Sequence, residues 1–308
     1  MPWGLRLAEL RRVAELMVPV TAAYALQEGA DALLPLWAAG HYRSASAEEV
    51  ELRLGALGLG NSALTCLALV IRSGWTGGQD ALVAQAFGRK DFGAAREHLH
   101  QCQLWMLALA MACSLLLAKT EGLLSLLGIA DAPAAAMAGE YVLACLPGLW
   151  FEFQYDALRK FLMNQELTRP GLAVLCATVP AQMIALHVLL QYTQLGFMQC
   201  AGAALATKSI LSLVFLGAYT SVCRPRPSCA GWWWPFHSRA FSLDGLRAYA
   251  RLGLPSTGAE CCDWWAWEAL TLMAGALNNP AELAGHVAAT AASDWLFLAV
   301  RGAPKAAT

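Results

Sequence analysis

Apolar stretches of about twenty residues, separated by short segments that hold most of the charge, run from Val13 to Val300. About twenty consecutive apolar residues is what a helix needs to cross the hydrocarbon core of a bilayer. The expected fold class is therefore all-α, a polytopic transmembrane helical bundle. Composition closes the alternatives. Hydrophobic residues make up 58% and charged residues 14%, where soluble domains run at about 45–50% and about 25%. Too little charge remains to keep a soluble surface of this size wet, and too much apolar residue is present for disorder. The net charge of −1 gives no basic excess for nucleic acid, so the lipid bilayer is the expected partner of most of the surface.

Eight spans are expected. They run roughly over residues 13–39, 54–87, 99–118, 137–158, 171–192, 198–222, 248–277 and 283–300. The second is interrupted by Gly74, Gly77 and Gly78, and the sixth carries Gly202, Ala203, Ala204 and Ala206, small residues that suit close helix packing in lipid. Loop charge tests this layout, because short cytoplasmic loops are rich in Lys and Arg. With the N-terminus inside, one side receives Arg6, Arg11, Arg12, Arg89, Lys90, Arg96, Arg159, Lys160, Arg169, Arg224, Arg226, Arg239, Arg247, Arg251, Arg301 and Lys305. The other receives Arg43, Arg53 and Lys119, and Arg72 and Lys208 stay within spans. The asymmetry predicts a cytoplasmic N-terminus. The stretch after it is broken by Glu15, Gln27, Glu28 and Asp31, so it does not read as a cleavable signal.

Chemistry of the enzymatic kind finds no foothold. The ten cysteines are scattered except for Cys261 and Cys262, with no CxxC spacing for zinc. There is no GxSxG, HExxH or P-loop pattern, so neither an enzyme nor a cofactor is expected. His98 and His100 sit two apart on an amphipathic segment, poor spacing for a shared metal and expected on a solvated face. Trp232, Trp233 and Trp234 between the sixth and seventh spans read as an interfacial aromatic belt.

Ionisable residues inside spans are costly in lipid and default to functional hypotheses. The seventh span is richest, with Glu260, Asp263 and Glu268 among Trp264, Trp265 and Trp267. At about 100° per residue, Asp263 falls about 60° to one side of Glu260 and Glu268 about 80° to the other. The acids thus line a broad face, shared with Trp264 and Trp267. Such carboxylates can bind and release protons in a transport cycle, and the rings offer flat surfaces to cationic compounds. Structural pairing between helices explains the same acids equally well. The first span carries Gln27, Glu28 and Asp31, the second Asn61 and Asp80, the fourth Glu152 and Asp156. Asp80 is expected to cap its helix or pair with Arg89 or Lys90. Asp156 is expected to form an interfacial charge set with Arg159 and Lys160, and Lys208 to pair with one of the acids.

Several blocks together carry a family resemblance. They are LGLPSTGAECCDWWAWEALTLMAGALNNP (Leu252 to Pro280), QDALVAQAFG (Gln79 to Gly88), YVLACLPGLW with RKFLMNQELTRP (Tyr141 to Pro170), and Gly202-Ala203-Ala204. They resemble the multidrug and toxic compound extrusion (MATE) family of antiporters in its eukaryotic branch. The resemblance implies two pseudo-symmetric six-helix lobes that exchange protons, or less often Na⁺, for small organic cations, drugs or metabolites. It implies a plasma membrane or a vacuolar or other organelle membrane. The family's seventh-helix acids map onto Asp263 and Glu268, with Asp263 standing where Glu is usual and Trp267 where Tyr or Phe is usual. Gln27 matches a polar position of the first helix. Asn61 lies about one turn further from Asp80 than the family spacing. The implied organisation is a cytoplasmic N-terminus (1–12), a first lobe of about six helices (13–223), a cytoplasmic linker (224–245) and part of a second lobe (246–308). Family members have twelve helices and an acidic partner on the tenth, whereas this sequence reaches about the eighth. That difference predicts a truncated form that transports poorly unless another chain supplies the remainder. A non-transporting relative, an assembly partner of a full-length relative and a lipid flippase are the rival readings.

Overall fold

The computed structural model describes the backbone of residues 3–41, 46–233, 238–277 and 279–307. It describes the side chains of these except 3–13, 28, 32, 33, 36, 40, 41, 238, 239 and 294–307. Expectations resting on the side chains of Arg6, Arg11, Arg12, Glu28, Arg239, Arg301 and Lys305, or on Arg43 and Trp234, lie outside the described residues.

Regular structure among the described residues is helical throughout. Helix α1 (Trp3–Glu28) passes through a π-helical turn (Gly29–Leu33) into α2 (Leu34–His41). Likewise α3 (Ala47–Leu64) passes through a second π turn (Thr65–Leu69) into α4 (Val70–Gly88). There follow α5 (Phe92–Leu117), the short α6 (Thr120–Leu126), α7 (Ala132–Met163), α8 (Arg169–Tyr192), α9 (Phe197–Cys223), α10 (Leu243–Ala276) and α11 (Pro280–Ala307). Local chemistry sets several starts. Ser46 accepts from the Glu49 backbone N–H at 3.2 Å in an S-x-x-E arrangement. Asp91, Asp131 and Ser242 cap α5, α7 and α10 in the same way, each satisfying an amide that the first helical turn leaves open.

The expected spans fall on these helices, the first two each on a pair joined by a π turn, but composition divides them. Five stretches, 47–88, 92–117, 132–163, 169–192 and 197–223, are long and apolar enough to cross a membrane. Helix α10 has the length, 34 residues, yet Arg247, Arg251, Glu260, Asp263 and Glu268 deprive it of the apolar window that length alone promised.

The glycines expected to interrupt the second span instead form a packing seam. A Cβ on Gly74 would stand 2.4 Å from Thr257 Cα, so α10 approaches α4 at backbone distance. On the other side of the bundle, a Cβ on Gly148 would meet Ala206 Cα at 2.4 Å and one on Gly202 would meet the Tyr141 carbonyl at 2.5 Å. Helices α7 and α9 therefore cross through small residues, as dispersion-driven packing in lipid favours.

Loops gather at two ends. At one, Arg96 donates to the Ala230 carbonyl at 2.8 Å, His100 bonds the Gly231 carbonyl at 2.9 Å, and Arg226 donates to the Gln165 carbonyl at 3.4 Å. Ser228 also bonds the Gln165 side chain. At the other, Arg53 lies over the Phe197 ring at 5.0 Å, and a small crevice is lined by Glu51, Asp131 and Asn279. These are the same two loop sets that the alternation of Lys and Arg separates. Two expectations need correction here. His100 is fully buried and bonded to the linker, not on a solvated face. Trp232 and Trp233 fasten the linker to the bundle: Trp232 donates to Ser221 Oγ at 2.8 Å, and Trp233 meets Trp150 edge-on at 5.9 Å.

Candidate functional site

A cavity of about 200 Å³ opens between the α1–α9 bundle and the helix pair α10 and α11. From α10 it receives Trp264, Trp267, Glu268 and Thr271. Their spacing, i, i+3, i+4 and i+7, is one face of a helix. Trp267 is 60% exposed and forms part of the open rim. The bundle supplies Gln27 and Asp31 from the first helical segment, Asn61 from α3, Arg72 from α4, Glu152 from α7, and Lys208 and Ser209 from α9. Helix α11 closes the remaining side with Val287, Thr290 and Ala291.

Four of the sequence-derived site residues beyond the first aromatic, Gln27, Asn61, Trp267 and Glu268, thus meet Trp264 at one cavity. Two do not. Asp263 lies about a quarter turn off the cavity-facing stripe of α10 and is exposed. Glu260 sits one turn before Trp264 and accepts from its indole N–H at 3.1 Å, orienting a ring that the cavity uses. Trp265 points away and donates to the Cys66 carbonyl at 3.1 Å. Cys66 lies in the second π turn, where the widened ring alters the hydrogen-bond ladder and can leave a carbonyl for an outside donor.

Charge in the bundle wall is paired. Lys208 is 1% exposed and donates to both carboxylate oxygens of Asp31. Arg72 Nη1 lies 2.6 Å from Glu152 Oε1, which also receives Gln27 Nε2 at 3.4 Å. Arg72 Nε faces Asp156 Oδ2 at 3.8 Å, and Asp156 is bound on its other oxygen by Arg159 at 2.7 Å. The Arg159 guanidinium stacks over the Tyr24 ring at 4.9 Å. Beyond this chain, Lys160 bonds Asp80 at 2.8 Å and Asn164 bonds it at 3.0 Å. Arg89 and Lys90, the expected partners of Asp80, are replaced by Lys160. The Asp156–Arg159 bond forms as the i,i+3 spacing suggests, but inside the bundle, and Lys160 joins the set through its charge while its bond goes to Asp80.

The pattern behind this network is readable. On α7 the charged positions 152, 156, 159 and 160 are i, i+4, i+7 and i+8, one continuous stripe. On α4, Arg72, Gln79 and Asp80 repeat the same offsets. When two such stripes face each other, every charge finds a counter-charge, as burial in low dielectric demands. Asn61 is fixed in its turn by the Tyr141 hydroxyl, which donates to its Oδ1 at 2.9 Å. Among the described residues no group of three His, Cys, Asp or Glu side chains could hold a metal ion.

Residues 50–193 match the MatE family model. Over these residues the chain is similar to the MatE family. Its relatives include the Arabidopsis thaliana "Protein DETOXIFICATION 1", 27% identical over 88% of this chain and 54% of that protein. Another, the Mus musculus "Multidrug and toxin extrusion protein 1", is 28% identical over 74% of this chain and 39% of that protein. The chain spans about half the length of the curated relatives it matches. In fold it resembles the crystal structure of the eukaryotic MATE transporter AtDTX14, with a TM-score of 0.76 at 22% identity over 89% of this chain and 58% of that one. It also resembles an outward-facing MATE family transporter, with a TM-score of 0.75 at 17% identity over 96% and 62%. The MatE match and five stretches long and apolar enough to cross a membrane mark an integral membrane protein.

Proposed function

We propose that the chain acts as a transmembrane antiporter that exports organic cations, drugs or secondary metabolites in exchange for protons, with Na⁺ the lesser alternative. The single observation that carries this reading is the cavity face of α10, which Glu268 shares with Trp264 and Trp267. Tryptophan faces attract cations through the ring quadrupole, and one carboxylate beside them can hold either a proton or a ligand's positive charge. Competition for Glu268 would couple the two fluxes. Gln27 and Asn61 shape the opposite wall, and Glu260 holds Trp264. The names of the relatives, detoxification and multidrug and toxin extrusion, favour the same ligand class.

In this reading residues 1–12 are a cytoplasmic N-terminus, 13–223 the first lobe, 224–245 a cytoplasmic linker and 246–308 part of the second lobe. The membrane is a plasma, vacuolar or other organelle membrane. Alternating access needs one repeat to rock against the other. A second reading, assembly with a further chain such as a full-length relative, is favoured by the outer face of α10. Leu254, Met273 and Leu277 are each more than 60% exposed there, and Asp263 shares the exposed surface. Helix α10 has no apolar window long enough for a span, so this face fits further protein better than acyl chains.

The test is uptake of a fluorescent organic cation by vesicles that contain the full chain, under an imposed pH gradient. Gradient-dependent uptake that falls at least tenfold in Glu268→Gln supports the antiporter. Equal uptake in both sinks the role of Glu268. Absent uptake combined with co-purification of a full-length relative supports the assembly reading.

A further inference from the structure

The bundle wall of the cavity carries an imbalance that the ion pairs do not remove. Asp31 is saturated by Lys208, and Glu152 Oε1 by Arg72 and Gln27. Among the described residues neither Glu152 Oε2 nor Gln27 Oε1 has a hydrogen-bond donor placed on it, although both residues are more than nine-tenths buried. The Gln27 amide orientation is set by its donation to Glu152, which leaves its oxygen on the unpaired side. Ser209, on the same wall, gives its hydroxyl hydrogen to the Leu205 carbonyl at 3.2 Å; it also stands within hydrogen-bonding reach of Glu152, but its one hydrogen serves one acceptor at a time. The other orphan nearby, Arg72 Nε, is a donor and faces Asp156 rather than the cavity. Two acceptors on bonded neighbours that line the cavity therefore lack a placed donor among the described residues. Buried polar groups are seldom left so, because each unmade bond costs the full desolvation of the group.

We propose that Gln27 Oε1 and Glu152 Oε2 form a subsite for a ligand head that is both cationic and an N–H donor: a protonated primary or secondary amine, or an amidine. The inference rests on the reading of this cavity as the organic-cation site and narrows its ligand class. The lining holds three acids, Asp31, Glu152 and Glu268, and two bases, Arg72 and Lys208. An ammonium with N–H bonds would donate to both orphan oxygens through charge-assisted hydrogen bonds, its flat body lying towards Trp264 and Trp267. A quaternary ammonium gains the tryptophan faces but donates nothing. A site built for donors discriminates strongly against an analogue that lacks them, because its acceptors stay unpaired.

Equilibrium dialysis of the full chain in detergent with 2-(2-naphthyl)ethylamine and its N,N,N-trimethyl analogue separates the cases. The expected result is at least tenfold tighter binding of the primary amine, the discrimination of about one charge-assisted hydrogen bond. In Gln27→Met the primary amine should weaken by roughly tenfold and the trimethyl analogue by less than about threefold. Glu152→Gln, which keeps the shape and loses the charge, should shift the preference in the same direction. Equal affinities in the parent chain, or a preference unchanged in Gln27→Met, would overturn the subsite while leaving the cation cavity standing. Binding of neither compound would overturn the cavity reading itself, and the subsite with it.

Discussion

Lys208 and Asp31, 177 residues apart in sequence, are joined by two hydrogen bonds inside the helical bundle. Removing one partner of a buried pair strands the other charge in low dielectric, at a cost of about 3–5 kcal/mol. Lys208→Met should therefore lower the thermal unfolding midpoint sharply. The double variant Lys208→Met with Asp31→Leu should recover a large part of the loss, since apolar replacement of a whole pair is often neutral. Unfolding in detergent, followed by circular dichroism, reads both. A double variant no more stable than the single would deny that the pair is the cause.

The Asp80–Lys160 pair offers a graded contrast. Its Asp80 side chain is 41% exposed, so solvent screens the interaction and shares the hydrogen bonding. Lys160→Met should cost about 1 kcal/mol or less, well below Lys208→Met in the same unfolding assay.

Helix contact predicts a second contrast, between glycines. At Gly148 any side chain collides with the Ala206 backbone, so Gly148→Val should force α7 and α9 apart and cost about 1–3 kcal/mol or more. At Gly285 a Cβ meets nothing within 4 Å. Gly285→Ala should be neutral or stabilise by about 0.5–1 kcal/mol through helix propensity. Yield of folded membrane protein and its unfolding midpoint decide both.

The packing of the linker is open to chemical mapping. Cys223 is exposed at the end of α9, whereas Cys229 in the linker is buried. Burial also pushes the Cys229 thiol up from its ordinary value, which lowers the fraction of reactive thiolate at neutral pH. A brief maleimide pulse followed by peptide mapping should modify Cys223 several-fold faster, because burial blocks reagent access to Cys229 as well as disfavouring its thiolate. Equal rates would mean that residues 224–233 do not pack as described.

Much of this architecture is legible in the sequence, and the reason is physical. A span must be apolar over about twenty residues, so the helices announce themselves one by one. The alternation of Lys and Arg separates the same two loop sets that meet at the two ends of the bundle. Partner choice is less legible. Asp80 has Arg89 and Lys90 close by in sequence and nevertheless pairs with Lys160, because helix packing, not chain proximity, decides which stripe faces which. The α7 stripe from Glu152 to Lys160 holds that information as an i, i+4, i+7, i+8 pattern, but only the meeting with α4 makes it a network. Short α6 carries too few apolar residues to stand out. The two π turns leave no compositional mark, although one places Asp31 and the other places the carbonyl that receives Trp265.

The α10 acids show the same limit at the site. Helical angles spread Glu260, Asp263 and Glu268 over one broad face, and the fold divides them among three surroundings. Glu268 lines the cavity, Glu260 orients Trp264, and Asp263 faces outward. Trp264→Ala should accordingly weaken an aromatic cation by roughly threefold to thirtyfold, the range of a cation–π contact. Trp265→Ala, on the far side, should weaken it by less than about twofold in the same dialysis assay.

The central claim is that Glu268 holds either a proton or the ligand's charge. Proton release on cation binding tests it most directly. The full chain in weakly buffered detergent solution near neutral pH is mixed with a saturating naphthyl trimethylammonium salt, and the pH change is recorded. The account predicts a proton release from the parent chain that disappears in Glu268→Gln while cation binding remains measurable. Release of equal size from both proteins would contradict it.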